Sequence, residues 1–425
     1  MREFVLSISY GNYLIQNGGT DKVIREHCKI FNRVNTNYLF AFPIQQKKKV
    51  GVKEISLHFW GLNLDQHLVG LFTFNNLIKV LNNYQTENKC KAIFIHHTWR
   101  VEENEIKKFL RLNKSPIYFY LHDFHMICDN NNFMDRVDHF CGYGVNTFDC
   151  SDKCKDYSAS CQNKMLFKHI MEENKDRICC VAPSENTKHI FVSTFPTYKN
   201  KFKCIEHQKP IQYRYLEPHR EGRLRIAFIG AQNNIKGWGD FKALVKNLEK
   251  NDTDLYYFGT GEDILTGVKS VRVSVREQGD TAMQEALQAN KIDVVLLLSC
   301  WPETYSYTFY ESLSAGCFVI AYECSGNIVD QVKQKKCGRI FKSFQELKHY
   351  LGNADKLKND VYEYRHSESQ IPIRVVPNDE IVKMVGTDSS KGELSHEKGI
   401  FSRRAYVAEL AYRLRNRRKL NGSKK

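Results

Sequence analysis

The chain has 425 residues, 42% of them hydrophobic, enough for two or three domains with their own cores, and its 26% charged and 12% aromatic content excludes a disordered or fibrous protein. The 63 Lys and Arg against 48 Asp and Glu leave a formal charge of +15, which favours an acidic partner: nucleic acid, an anionic bilayer or a phosphorylated small molecule. No stretch approaches the ~18 to 20 apolar residues of a membrane span, and residues 1–14 lack the pattern of an export signal, so the expectation is a cytoplasmic protein whose fourteen cysteines are reduced.

In chain order, short β-branched and aromatic runs at 4–8, 37–42, 92–96, 117–121 and 178–182 alternate with helix-length amphipathic spacers. Such alternation predicts a parallel sheet. A polar, Lys-rich passage with Pro196, Pro210 and Pro218 interrupts it, and a second series follows at 224–229, 255–258, 271–274, 293–298, 318–321 and 338–341. The prediction is α/β: two Rossmann-like, doubly wound domains facing across a cleft, over residues 1–200 and 223–350, joined by a linker at 201–222. Beyond 351 the chain turns polar, with a Ser/Lys/Gly-rich piece at 387–399, before a basic helix at 401–420 whose predicted apolar edge is Val407, Leu410 and Leu414. Nine basic residues and one acidic lie within 401–425, more than half of the net charge.

The chemistry concentrates in residues 301–320, WPETYSYTFYESLSAGCFVI, directly after a run that reads as a buried strand. Seven residues separate Glu303, in the loop, from Glu311, in the next predicted helix. The backbone N–H groups from Tyr305, Ser306 and Tyr307 to Thr308 stand at that helix's N-terminus, a seat for phosphate. In this setting the block resembles the glutamate, seven residues, glutamate motif of retaining glycosyltransferases of the GT-B fold, in particular glycosyltransferase family 4.

Other stretches resemble that family in the same order. Gly18-Gly19-Thr20 is similar to its N-terminal glycine loop, His122-Asp123 to its acceptor-side element, and the run from Gly230 to Gly237, with Lys236, to its diphosphate loop. Ala231 departs from the arginine that many members carry. The resemblance implies transfer of a sugar from a nucleotide diphosphate sugar to a saccharide or lipid-linked acceptor, with retention and without a cofactor or catalytic metal. It implies that Glu311 holds the donor ribose, Glu303 bonds the transferred sugar, His122 lies near that sugar, and Lys236 with Gly18, Gly19 and Gly230 meets the diphosphate. Assembly of a bacterial surface polysaccharide is the process it suggests. The 401–425 tail lies outside the resemblance; its charge and apolar edge suit two placements, contact with the anionic inner face of a membrane and docking of the helix back onto the first domain through Val407, Leu410 and Leu414.

Other readings stand beside this one: a GT-B epimerase or phosphorylase, an inactive GT-B scaffold, and a nucleic-acid-binding protein. The last is disfavoured because the basic excess gathers in one tail without a binding module. Cys128, Cys141, Cys150, Cys154 and Cys161 follow the His122 element, and Cys150 and Cys154 have a spacing that suits zinc. Reduced thiols and a structural zinc both remain open.

Overall fold

Runs such as Val294–Leu297 are apolar at every position because helices cover both faces of the strand, and all four side chains are buried. A computed structural model describes residues 2–50, 53–128, 130–135, 137, 139–141, 162–212, 222–248, 253–367, 373–386, 403–416 and 419–420. The first sheet contains β1 (Arg2–Ile8), β2 (Asn37–Val50), β3 (Lys53–Leu64), β4 (His67–Phe72), β5 (Asn88–Ile95), β6 (Ile117–Tyr120), β7 (Ile178–Ala182) and β8 (Phe202–Cys204), in the order β4-β3-β2-β1-β5-β6-β7-β8. Pairing is parallel from β2 to β8, while β3 and β4 fold back antiparallel.

The next strand, β9 (Gln208–Gln212), joins neither large sheet. The second sheet is wholly parallel: β10 (Leu224–Ile229), β11 (Thr253–Gly259), β12 (Val268–Arg272), β13 (Val294–Leu297), β14 (Phe318–Tyr322) and β15 (Gly338–Phe341), ordered β12-β11-β10-β13-β14-β15. That is the Rossmann order, whose direction reverses between β10 and β13. The first sheet has the equivalent reversal between β1 and β5. Ligands gather beyond the carboxyl ends of strands at such points, so the fold singles out the loops after β1, β5, β10 and β13 before any motif is considered.

The β3–β4 hairpin is absent from the sequence reading for an identifiable reason. Its turn uses Asp65 and Gln66, with φ of 46° and 73°, in place of the Asn-Gly or Asp-Gly pairs that announce a tight hairpin. The expected linker also differs. Phe202–Cys204 completes the edge of the first sheet, and Gln208–Gln212 pairs antiparallel with the last strand, β16 (Ile373–Pro377).

The chain beyond 351 crosses back to the first domain. The helix Ala354–His366 buries Leu357, Val361 and Tyr364 in the second core, and the helix Glu380–Val385 then places Ile381 and Val385 in the first. Helix Arg403–Arg415 lies along β4: Leu71 N donates to Glu409 Oε2 at 3.3 Å, Arg413 Nη2 to Leu68 O at 3.1 Å, and Asn12 Nδ2 to the buried Tyr412 hydroxyl at 3.0 Å. The docked face is thus the one carrying Tyr412. Leu410 and Leu414, expected on the docking edge, are 51% and 63% exposed, because they share the opposite side of the helix. The 387–399 segment, Cys150, Cys154 and Cys161 lie outside the described residues.

Candidate active site

The diphosphate-like loop is shaped by two glycines with positive φ. Gly230, at 115°, turns the chain off β10, and Gly237, at 81°, lies where a Cβ would meet Leu298 O at 2.3 Å. This presses the loop against the end of β13. Between them Asn233 Oδ1 accepts from Lys236 N at 2.9 Å, and the short turn Asn234–Lys236 directs the Lys236 ammonium onto Glu303 Oε1. Glu303 is buried and accepts from Ser299 Oγ at 2.5 Å, while its backbone oxygen accepts from Asn327 N at 2.9 Å. The carboxylate and the lysine are therefore fixed together at the reversal point of the second sheet.

Glu311 sits within the helix Tyr307–Ser314, whose N-cap Ser306 accepts from Phe309 N through its hydroxyl at 3.3 Å. Burial raises the Glu311 carboxyl, opposed by Lys22, whose Nζ lies 3.8 Å from Oε1 and 4.1 Å from the centre of the Tyr307 ring. Lys22 belongs to the helix Gly19–Arg33 that follows β1, so the pair spans the cleft. One turn further, Glu26 Oε1 accepts from Gln208 Nε2 at 3.2 Å and its other oxygen is buried without a partner among the described residues. Burial, opposed in part by Lys22, pushes that carboxyl up to about 7.

The domains also touch at Thr304, whose hydroxyl donates to His122 O at 2.6 Å and whose carbonyl accepts from Thr187 Oγ1 at 3.4 Å. His122 is thereby held one residue away from Glu303. Its ring is oriented from below by a chain of hydrogen bonds. Tyr38 donates its hydroxyl proton to Ser7 Oγ at 3.0 Å, so the Tyr38 oxygen accepts from His96 Nε2 at 3.3 Å. His96 Nδ1 is then an acceptor, and His122 Nε2 donates to it at 2.8 Å. That leaves the His122 Nδ1 lone pair for a ligand. Burial, together with the neighbouring histidines, holds both rings well below the ordinary imidazole range, so both are neutral at pH 7.

Glu303, Lys236, Glu311, Tyr305, Ser306, Tyr307 and His122 are thus brought to the two faces of one cleft. Gly18 and Gly19 lie there as well, but for a different reason than a strained turn. Gly18 caps the first helix at a φ of −69°, its N–H donating to Asp21 Oδ2 at 2.8 Å, and a Cβ on Gly19 would lie 3.7 Å from the Tyr307 ring. Tyr305 and Tyr307 are largely buried, with rings 5.1 Å apart. Cys128 is buried in the first core, whereas Cys141 is exposed. Sequence reasoning missed Lys22, Glu26 and His96. The signal for the first two is a polar i,i+4 pair, one turn apart, inside a helix whose other buried positions include Val23, Ile24, Cys28 and Phe31. For His96 it is a histidine immediately after a parallel strand at the reversal point.

No family model matches the sequence, and no curated protein matches it. Solved structures do resemble the fold. A TarM variant from S. aureus, held with fondaparinux, alpha-GlcNAc-glycerol and UDP, superposes with a TM-score of 0.52 at 8% identity, covering 90% of this chain and 98% of its own. Anabaena HepE in complex with UDP gives 0.51 at 11% identity over 88% and 94%, and sucrose-phosphate synthase from Thermosynechococcus elongatus gives 0.52 at 11% over 87% and 94%. The chain has the GT-B fold of these glycosyltransferases.

Proposed function

We propose that the protein is a glycosyltransferase that moves a sugar, with retention, from a nucleotide diphosphate sugar to a saccharide or lipid-linked acceptor. The observation that carries this reading is the Lys236–Glu303 pair, set at the reversal point of the second sheet and facing His122 across the cleft. In the reaction the bond from the anomeric carbon to the phosphate oxygen breaks, and the acceptor oxygen bonds to the same face. The acceptor's proton passes to the departing phosphate. Lys236 and the N–H groups before Thr308 meet the negative charge that develops there. Lys22 supplies the second positive charge that Ala231 cannot, turning from Glu311 to the phosphates as Glu311 takes the ribose hydroxyls. Glu303 and the His122 Nδ1 lone pair accept from hydroxyls of the transferred sugar. Charge neutralisation in this scheme rests on lysines, with no catalytic metal.

UDP in the HepE and TarM complexes makes a uridine nucleotide the first donor to test. The wider reading is a cytoplasmic enzyme of bacterial surface-polysaccharide assembly, resting on anionic lipid through its 401–425 tail. Calorimetric titration with UDP and UDP-sugars, followed by proton NMR of the product's anomeric configuration, tests the core of it. Saturable nucleotide binding and a product with the donor's anomeric configuration are expected. Absence of any nucleotide binding overturns the reading, and release of a free epimer supports the epimerase instead.

A further inference from the structure

Trp60 and Trp238 are core residues, but Trp99 is 48% exposed. It stands in the loop after β5, beyond the carboxyl edge of the first sheet and beside the reversal point at β1 and β5. Hydrogen bonds tie down its backbone. Trp99 N donates to His97 Nδ1 at 2.9 Å, which leaves Nε2 as the protonated nitrogen, donating to Asp123 Oδ2 at 3.0 Å. Asp123 Oδ1 accepts from His125 N at 2.9 Å, and the His97 and His125 rings stack 4.8 Å apart. Burial acts to raise the Asp123 carboxyl, but His97 and the His125 N–H outweigh it and hold it at about 2, so it stays an acceptor throughout the working range.

Two further side chains complete the surface. Tyr10, just past the end of β1, meets the Trp99 ring at 5.8 Å, tilted by 52°, and the His97 ring edge-on at 5.2 Å. Arg100 adopts a φ of 65°, a left-handed conformation uncommon for a residue with a Cβ, which folds its guanidinium back to 4.3 Å from the indole centre. The Tyr10 hydroxyl lies 3.4 Å from where a Cβ on Gly18 would stand, so this surface adjoins the glycine loop at the cleft.

A partly exposed indole with a planar five-donor cation over one of its faces matches one kind of ligand well, a ring that takes an indole face as the guanidinium swings to the rim. A pyranose presents a face of C–H bonds that can lie on an aromatic ring, burying apolar area, while its rim hydroxyls stay free for polar partners. The guanidinium fork can donate to those hydroxyls or, bidentately, to a carboxylate. We propose that Tyr10, Trp99 and Arg100 form the acceptor platform, on which a pyranose ring of a saccharide lies against the indole with its polar rim toward Arg100. This inference rests on the glycosyltransferase reading and names the substrate class of its open side.

The test is saturation-transfer NMR on the full chain with methyl glucoside, N-acetylglucosamine and glucuronic acid at millimolar concentration, with UDP affinity measured in parallel. Trp99→Ala is expected to weaken saccharide binding by about tenfold or more, Trp99→Phe to retain part of it, and Arg100→Ala to weaken glucuronic acid more than the neutral sugars. UDP affinity should stay within about twofold in each variant, which also reports that the fold is intact. No saccharide signal on the wild type, or a signal unchanged in Trp99→Ala, overturns the platform. Failure of the wild type to bind UDP counts instead against the donor-site reading, and a Trp99-dependent saccharide signal would still sustain the platform.

Discussion

Lys22 of the first domain and Glu311 of the second form an ion pair at 3.8 Å, with both side chains less than a tenth exposed. A buried pair gains little over an apolar contact, because each ion loses its water, but removing one partner strands the other. Lys22→Ala should therefore lower stability by roughly 3 to 5 kcal/mol and also reduce donor affinity. In Lys22→Met with Glu311→Gln the stability loss should largely disappear while donor affinity stays low. Chemical denaturation and UDP calorimetry on the single and double variants measure both. Recovery of donor affinity in the double variant would show that neither side chain contacts the donor and that the pair serves only to neutralise itself.

Glu303 and Glu311 divide the donor between them in the proposed scheme, so their variants should differ in kind. Glu303→Ala should depress turnover more than donor affinity, because it removes contacts to the transferred sugar. Glu311→Ala should chiefly weaken nucleotide binding. Each loses charged hydrogen bonds worth roughly 1.5 to 3 kcal/mol. Lys236→Ala should lower turnover sharply, since Ala231 leaves that loop no arginine to share the charge. Steady-state kinetics with a UDP-sugar separates the three, and wild-type behaviour in both glutamate variants would refute the site.

Most of the parallel strands of the two sheets could be read from the sequence because burial on two faces writes itself as uninterrupted apolar runs; the short edge strand β8 fell in the expected linker. β7, β10 and β15 lie at the expected residues. The hairpin β3–β4 could not, since a turn of Asp65 and Gln66 carries no glycine signal and the strands' polar positions mask alternation. In the candidate site, Glu303, Glu311 and Lys236 are named from motifs that resemble a family's, each local in sequence, and the structure brings the three to one cleft. The Lys22–Glu311 pair joins residues 289 positions apart in sequence, and only the packing of two domains brings them together. The return of Tyr412 to Asn12 is hidden for the same reason, and the apolar edge of Leu410 and Leu414 is not the face that docks.

His96 acts through His122. Without it the His122 Nε2 proton loses its acceptor, and the ring can present a proton to the sugar in place of a lone pair. His96→Phe should lower kcat by about tenfold or more with little change in UDP affinity, whereas His96→Asn, which keeps an acceptor oxygen near Nδ1, should restore part of it. The pH profile of kcat supplies the decisive readout, because a purely structural loss would not shift it. An unchanged profile and rate in His96→Phe would remove the relay.

Buried titratable groups give opposing pH trends. His27 and His207 are pushed down to about 3 by burial, so the unfolded chain binds more protons below its own imidazole range. Their contribution is fully present above about pH 6.5 and is lost as pH falls toward 3. Glu26 runs the other way: with its carboxyl at about 7, stability is fully present below the unfolded value of about 4.5 and is lost as pH rises through 7. Glu26→Gln should therefore raise the melting temperature at pH 8.5, by an amount corresponding to roughly 3 kcal/mol, and change it little at pH 5. Equal shifts at both pH values would contradict the assignment.

The tail makes the last prediction. Docking of helix Arg403–Arg415 through Tyr412 leaves Leu410 and Leu414 exposed on its outer side, with Arg415, Lys419 and the other basic residues of 401–425 close by in sequence. An apolar pair flanked by cations is suited to anionic lipid, where each Lys or Arg near the surface contributes ~1 kcal/mol at low salt and the leucines add buried area. Replacing Leu410 and Leu414 by Ser, with Arg415→Glu, should reduce co-sedimentation with phosphatidylserine-containing vesicles by about tenfold or more while UDP affinity is preserved. Raising the salt should weaken binding of the wild type and hardly affect the variant, because the charge component screens over a Debye length of about 10 Å at 0.1 M. If the wild type does not sediment with the vesicles at low salt, the outer face of this helix has another role and the acceptor must reach the cleft without a membrane-bound enzyme.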